Sequence, residues 1–586
     1  MAAFFLFKLV VIEQFTTSPM AQTFRVVFLL FVSLSMCLSM QVMAQPGSLQ
    51  NANSLTSKAS LAFQDGQYQS AVRLGQQALQ IATEREFPDL IWRVQVLLGE
   101  SYLRLGQASL AEQAFRGAQA AVDLVNGSLS SDSVKLQFGI GKSQITARLI
   151  DFDIAANNPT QLFEDAERGR ARAFVDLLTE TELSLSDDRE TNQRVRTLDE
   201  KIRTQRFQFS LQRPGSKRSN VIKTELNDLL EQRAKLMDQL AAINTEWAAA
   251  YSVRYATLQQ VQARLATREM LVYGVSGSNP NDMDLLFVQA GSATIKRIPN
   301  GQVALNQALI EFTDAIALAD KRKQEESLIR ISKVLELQSW PKAESFYIVP
   351  NRQLNYVPWS AIGLGQWVSV LPNGSWLLRT VNNRAKIQGQ LIVGDPDFGG
   401  ELPQLPGARA EATAISRLYD VEPLLGKQAT ASTVVTLAQT RMQVLHLATH
   451  GVFDYQRPLQ SALYFSNPGG GAQTMTAEDI FWSPLRADLV VLSACETGIG
   501  KVLEDNDIVG LLRSFYMNGA SQAVNTLWPV SDQGVQQFMT VFHEHLHLGS
   551  GTAINKAVQA SKRAGHPPSV YAAFVLNGYT PYSVAP

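Results

Sequence analysis

The sequence predicts two architectures in one chain: an all-α region, then an α/β domain built on a largely parallel sheet with helices on both faces. Three observations carry that expectation. Residues 55–125 repeat with a period of 40, and residues 195–247 carry heptad-spaced apolar positions. From Met270 onward, short strand-like apolar runs alternate with helical stretches to the end of the chain. The expected segments are 1–44 as a secretion signal, 50–180 as helical repeats, 185–265 as a helical hairpin and 266–586 as the α/β domain.

Composition bounds the function. The 586 residues are 45% hydrophobic, enough for several buried cores. With 52 basic against 53 acidic residues, the formal net charge of −1 offers no footprint for nucleic acid or an anionic membrane surface. The basic triplet Lys321-Arg322-Lys323 is answered at once by Glu325-Glu326 and reads as solvated helix surface.

The amino terminus reads as an address. Arg25 precedes an apolar stretch from Val26 to Leu38, and Val42-Met43-Ala44 supplies the small residues of a signal-peptidase site, so cleavage would leave Gln45 first. Met20 is an alternative start, because Glu13 is an awkward acid within such a leader. Met36 stands before Cys37 where a lipoprotein would want a small residue. No later segment is long and apolar enough to span a bilayer, so the expected product is exported, periplasmic or secreted, without a membrane span.

In the repeat region Gly66, Ala71 and Ala78 recur as Gly106, Ala111 and Ala118. Small residues at these spacings let antiparallel helices approach closely, as in a tetratricopeptide unit. The usual period is 34, and the surplus is expected around Thr83 to Pro88. A degenerate third unit is expected over Ile145 to Leu178. Beyond it, Ile222, Leu226, Leu229, Arg233, Leu236, Leu240, Ile243 and Trp247 form a heptad seam broken only by Arg233, with a similar seam at Val195, Leu198, Ile202, Gln205 and Phe209. Arg213-Pro214-Gly215-Ser216 between them is a turn signal, so the two arms are expected to fold back on each other.

Within the α/β region, Leu271–Val275, Leu285–Val288 and Phe346–Val349 read as strands, with a helix over Val303 to Ala319. Asn467 to Thr474, containing Gly469-Gly470-Gly471, is expected as a flexible loop. Two apolar runs carry chemistry at their exits. Val444-Leu445-His446-Leu447-Ala448-Thr449 delivers His450-Gly451, and Leu489-Val490-Val491-Leu492 delivers Ser493-Ala494-Cys495-Glu496-Thr497-Gly498. A thiol becomes a useful nucleophile when an imidazole takes its proton, and that imidazole can then protonate the departing amine. Parallel strands present their carboxyl ends to one crevice, which makes Cys495 the candidate nucleophile and His450 its base. The backbone N–H groups of Gly451 and Cys495 are candidates for an oxyanion hole. Cys37 leaves with the signal, so Cys495 has no partner within the exported chain and is either deeply buried or functional.

These residues resemble a known family. His446–Gly451 (HLATHG), Ala487–Gly500 (ADLVVLSACETGIG) and Ser521–Asp532 (SQAVNTLWPVSD) are similar to the CHAT domain, a caspase and separase relative often fused to tetratricopeptide repeats. Tyr347–Ile362 (YIVPNRQLNYVPWSAI), Leu391–Gly400 (LIVGDPDFGG), Leu402–Gly407 (LPQLPG) and Tyr571–Leu576 (YAAFVL) extend the resemblance over about residues 260–580, in the same order. It implies a caspase-like α/β fold with His450 and Cys495 as a peptidase dyad. Where the family often carries a Gly-Glu-Gly type segment, this chain has Leu503-Glu504-Asp505-Asn506-Asp507-Ile508.

Other chemical readings are weaker. His543-Glu544-His545-Leu546-His547 fits the H-E-x-x-H zinc pattern, but no Asp or Glu follows Glu544, and these histidines read as a solvated helix end. Gly498-Ile499-Gly500-Lys501 lacks the first glycine and the Ser or Thr of a phosphate loop. His446 reads as a satisfied core histidine. Asp532, Glu496, Asp505 and Asp507 are candidate pocket acids that would favour a basic residue before the scissile bond. No metal or cofactor is expected. The function expected is an exported cysteine endopeptidase whose repeats bind a protein substrate or regulator; the alternative is a noncatalytic caspase-like scaffold.

Overall fold

Small residues at the turns and faces of the first helices set how closely they pair. The computed structural model describes residues 49–125, 132–180, 217–243, 256–378, 388–452, 454, 458–493, 501–502, 508–509, 511–530 and 532–579, with single positions between 194 and 208. It divides into two units, residues 1–156 with 175–252 and residues 157–174 with 253–586.

In the first unit, α1 (Leu49–Gln64) and α2 (Tyr68–Glu84) form one hairpin, and α3 (Pro88–Arg104) and α4 (Ala108–Val125) a second. The two hairpin turns are copies. Gly66 and Gly106 adopt φ of 74° and 73°, and Gln67 and Gln107 donate back to the carbonyls of Ala62 and Tyr102 at 2.8 and 2.9 Å. This is the left-handed helix stop that glycine adopts without a Cβ clash. Ala71, Ala78, Ala111 and Ala118 are all fully buried, as the repeat spacing requires. The surplus over a 34-residue period is not at 83–88: residues 85–87 connect α2 to α3 as tightly as 65–67 and 105–107 connect the hairpins. Glu86 enters the left-handed region at φ 48°, which closes that link in three residues, and the extra length lies in helices of 16, 17, 17 and 18 residues.

Next come α5 (Asp132–Ala155), α6 (Pro159–Glu180) and α7 (Lys217–Ile243). Buried Glu100 takes a two-pronged contact from Arg148 of α5, at 2.8 and 3.0 Å, and Arg116 reaches buried Asp153 at 2.9 Å. A carboxylate removed from water demands this bidentate pairing. Gln205 donates to Glu225 at 3.0 Å, and Ile202 and Ile222 are buried, so the two heptad stretches run side by side. The Arg213–Ser216 turn and Trp247 lie outside the described residues.

The second unit opens with α8 (Leu258–Arg264), β1 (Glu269–Val275), β2 (Met283–Gln289) and β3 (Ser292–Ile298). Then follow α9 (Gly301–Ala317), α10 (Lys321–Val334), β4 (Ser345–Val349), β5 (Trp367–Val370) and β6 (Gln388–Pro396). Next are α11 (Pro406–Tyr419), β7 (Leu424–Gly426), α12 (Ala431–Leu437), β8 (Met442–Ala448) and β9 (Gly451–Val452). After these come β10 (Ala462–Ser466), β11 (Ala472–Thr476), α13 (Ala477–Trp482), β12 (Ala487–Leu492), β13 (Lys501–Val502) and β14 (Ile508–Val509). The last are α14 (Leu511–Met517), β15 (Gln522–Thr526), α15 (Asp532–Glu544), α16 (Ser550–Arg563), α17 (Pro568–Tyr571) and β16 (Phe574–Gly578).

Eleven strands form one sheet, in the order β3-β2-β1-β4-β5-β16-β15-β12-β8-β6-β7. It contains two parallel blocks, β1-β4-β5-β16 and β15-β12-β8-β6-β7, joined where β15 and β16 run antiparallel; β2 and β3 add an antiparallel edge. Successive residues of β8 point to opposite faces, and Leu445, His446, Leu447 and Ala448 are all buried, so both faces of the sheet are covered. Residues 467–471 are not a loose loop. They are the turn of the β10–β11 hairpin, in which Asn467 N–H donates to Gly471 O at 3.0 Å and Gly470 and Gly471 supply φ of 95° and 85°. Among the described residues, no helix is long and apolar enough to cross a membrane.

Residues 157–174 of α6 belong to this second unit through buried polar contacts. Glu167 accepts from Tyr273 Oη at 2.7 Å and from the N–H groups of Gly374 and Ser375 at 2.6 and 2.9 Å. Arg170 donates to the carbonyls of Gly274 and Pro350 at 3.0 and 2.8 Å and lies over the Tyr273 ring. Replacing Glu167 with Ala would strand the buried Tyr273 hydroxyl and Gly374 N–H, each costing about 1–3 kcal/mol, and the half-buried N–H and hydroxyl of Ser375. Equilibrium urea unfolding of Glu167→Ala is expected to show a matching loss of stability.

A second prediction concerns the repeats. A Cβ at Gly99 would stand 2.7 Å from the Phe115 ring. Gly99→Ala is expected to destabilise the helical unit by about 1–3 kcal/mol through overpacking, measurable by chemical denaturation, despite alanine's better helix propensity.

Candidate active site at the ends of β8 and β12

Strands β8 and β12 are parallel neighbours, with Leu445 opposite Val490, His446 opposite Val491 and Leu447 opposite Leu492. Both are continuous apolar runs because neither face meets water. The ladder extends one residue further, where Ser493 N–H donates to Leu447 O at 3.0 Å. His450 lies three positions beyond Leu447, and Cys495 three beyond Leu492. Residues 494–500, including Cys495 and Glu496, lie outside the described residues.

His450 is held from several sides. Its carbonyl accepts the Tyr464 N–H of β10 at 2.9 Å, and the preceding Thr449 hydroxyl donates to Tyr464 O. Its half-buried ring lies against fully buried Phe398, with centroids 5.2 Å apart. His450 Nε2 sits 2.9 Å from the carbonyl oxygen of Pro403. A carbonyl has no hydrogen to give, so Nε2 is the donor and the neutral ring keeps its lone pair on Nδ1. That arrangement leaves one nitrogen free to take a proton.

Gly451 pairs with Leu463 in β10. Since Tyr464 N–H binds the carbonyl of His450, this is the non-hydrogen-bonded pair of the ladder, and the Gly451 N–H points away from β10. It is therefore available as a donor to something outside the sheet. Val452 beside it is exposed. Ser493 Oγ is buried and finds no hydrogen-bond partner among the described residues.

Asp532 is the first residue of α15, while Asp505 and Asp507 lie outside the described residues. Ile508 pairs in β14 with Val502 of β13. Among the described residues, no group of three or more His, Cys, Asp or Glu could hold a metal ion. Sequence reasoning did not assign Pro403 or Phe398 to the site. The only signal was the Pro- and Gly-rich punctuation of residues 394–407, which marks a turn without showing what it touches.

The chain thus carries paired helical repeats followed in sequence by an α/β domain, with a histidine at the exit of a central parallel strand of a sheet covered on both faces. Residues 315–579, just under half of the chain, match the CHAT domain family. Tetratricopeptide repeat protein 28 of Mus musculus is 28% identical over 231 residues, covering 32% of this chain and 9% of that protein. Its Homo sapiens counterpart is 27% identical over 231 residues, with the same coverage. This chain thus spans under a tenth of the length of these curated relatives. Among known structures, the Saccharomyces cerevisiae separase-securin complex at 3.0 angstrom resolution aligns with TM-score 0.38 and 10% identity, covering 94% of this chain and 51% of that one.

One strand turn below the site, a buried polar chain crosses from α11 through β8 to α15. His446 Nδ1 lies 3.2 Å from His543 Nε2, and His543 Nδ1 lies 2.9 Å from Tyr419 Oη. His446 Nε2 approaches Glu411 Oε1 at 3.2 Å, within ion-pair range but without the alignment of a hydrogen bond. His543 is thus not on a solvated helix end. It is 3% exposed because the apolar face of α15 turns it inward onto β8, whereas His547 is exposed and its ring approaches the Glu544 carbonyl. His446 is fully buried. Burial pushes the Tyr419 phenol up to about 12, so it keeps its hydrogen.

Burial, and then neighbouring His446, hold the His543 imidazole well below its ordinary value of 6.5. The unfolded chain therefore takes up a proton near pH 6.5 that the folded chain refuses, so this contribution to stability is present above that pH and lost as pH falls below it. Thermal unfolding midpoints are expected to drop as pH is lowered through this range, and the drop is expected to be shallower in His543→Gln.

Proposed function

We propose that this protein is an exported cysteine endopeptidase in which Cys495 attacks a peptide carbonyl with His450 as its base and acid. One observation carries the reading: Nε2 of His450 is occupied by the Pro403 carbonyl, leaving Nδ1 as the free base at the exit of β8, beside β12, which leads to Cys495.

The chemistry follows from that arrangement. The Cys495 thiol gives its proton to Nδ1, and the thiolate adds to the scissile carbonyl. The oxyanion that forms would take N–H bonds from Gly451 and Cys495, and the outward direction of the Gly451 N–H supports its part. The imidazolium then protonates the departing amine, leaving a thioester. Water attacks the thioester, passing one proton to Nδ1 and from there back to sulfur, which restores the thiol and releases the acid. The close-packed repeats of α1–α4 suit a protein substrate or regulator. Export rests on the apolar stretch Val26–Leu38 and the small-residue site ending at Ala44.

The test is cleavage of a peptide library together with mild alkylation. Cys495→Ala is expected to abolish cleavage while folding persists. His450→Ala is expected to slow both alkylation of Cys495 and cleavage by about a hundredfold or more. Equal turnover by the wild-type chain and Cys495→Ala would rule out this nucleophile, and alkylation of Cys495 indifferent to His450 would leave the domain a noncatalytic scaffold.

A further inference from the structure

The turn that carries Pro403 is itself clamped. It leaves β6 at a bulge between Gly394 and Pro396, where Asp395 takes the left-handed conformation at φ 43°, which aspartate tolerates better than most residues with a Cβ. Asp395 is 3% exposed. Its Oδ1 accepts the Leu405 N–H at 2.7 Å, and its Oδ2 takes the Arg409 Nε–H at 2.8 Å. The carboxylate thus closes residues 395–405 into a ring, two positions from the carbonyl that holds His450. The far side of the turn is tied to the β10–β11 hairpin, where Glu401 accepts the Ala472 N–H at 2.9 Å and a Cβ on Gly399 would meet the Gly471 backbone at 2.6 Å. Phe398, from the same turn, packs on the His450 ring.

We propose that Asp395 is the positioning residue for His450: by fixing the 395–405 turn it keeps the Pro403 carbonyl on Nε2, and so keeps Nδ1 as the free nitrogen. The inference rests on the dyad reading for its consequence, but the geometry of the turn stands apart from it. Asp395 touches no substrate and acts only through the backbone it holds. A residue that merely stabilised the fold would change unfolding without changing which nitrogen of His450 carries hydrogen.

The experiment is nitrogen NMR of the full chain carrying ring-labelled histidine, with His450→Gln identifying the signal, and alkylation of Cys495 measured on the same samples. The wild-type chain is expected to show His450 as the Nε2–H tautomer. Asp395→Ala is expected to populate both tautomers and to slow His450-dependent alkylation by about tenfold to a hundredfold, the cost of a displaced catalytic group. Asp395→Asn keeps the volume and an acceptor for Leu405 but loses the charge facing Arg409, and a smaller change in the same direction is expected, so the proposal stays testable if the alanine variant does not fold. Asp488→Asn breaks a comparable carboxylate contact, with Arg441, at the opposite ends of β8 and β12, and is expected to leave the tautomer unchanged. Wild-type tautomer and wild-type alkylation in folded Asp395 variants would overturn the proposal. Slow alkylation in the wild-type chain that ignores His450 would instead overturn the dyad, while the tautomer comparison would still decide the role of Asp395.

Discussion

The parallel register between β8 and β12 is the constraint on which the site depends. Hydrogen bonds pair Leu447 with Leu492 and carry on to Ser493, so the chain leaves both strands at the same level and on the same rim of the sheet. A slip of one residue would turn every buried side chain of β8 to the opposite face, and His446 would lose both Glu411 and His543. Burial of that polar chain therefore specifies the register as well as tolerating it. The apolar core on both faces stabilises the strands, and the contact of His446 with His543 is made in only one alignment.

Beyond the strand ends, side chains give way to backbone. Thr449 and His450 are fastened to Tyr464, and the imidazole is oriented by a carbonyl of a turn that begins at β6. Three neighbouring elements thus converge on one ring. The same economy appears in the repeats, where Gly66 and Gly106 stop their helices in one way and fully buried alanines set the approach of the helices that follow. In both units the position of large groups is decided by small ones.

Much of this was legible in the sequence. The runs VLHLAT and ADLVVL announce fully buried parallel strands, because such strands show no alternation of polar and apolar residues. The period of 40 announced the repeats, since steric needs recur wherever the same helix pair recurs. The position of His450 at the exit of β8 was legible because a buried run ends just before it. The rest depended on partners far away in the chain. Pro403 lies 47 residues from His450 and contributes a carbonyl, which every residue possesses and none advertises. His543 lies 97 residues from His446, and a helix end rich in histidine looks solvated until the strand it packs on is known. The partners of Glu167 and Arg170 among residues 273–375 were beyond the reach of any local pattern. The surplus length of the repeats is not in the connection ending at Pro88, because that proline stands at the first position of α3, where its missing N–H costs nothing.

The most direct test of the account is whether positions 450 and 495 are neighbours. In a Cys37→Ala background, His450→Cys would leave two thiols at the ends of adjacent strands, and a disulfide forms only when the α-carbons lie within about 7 Å. Mild oxidation of the folded chain is expected to give one internal 450–495 bridge by mass spectrometry. Two thiols that remain free and alkylate independently under the same conditions would contradict it.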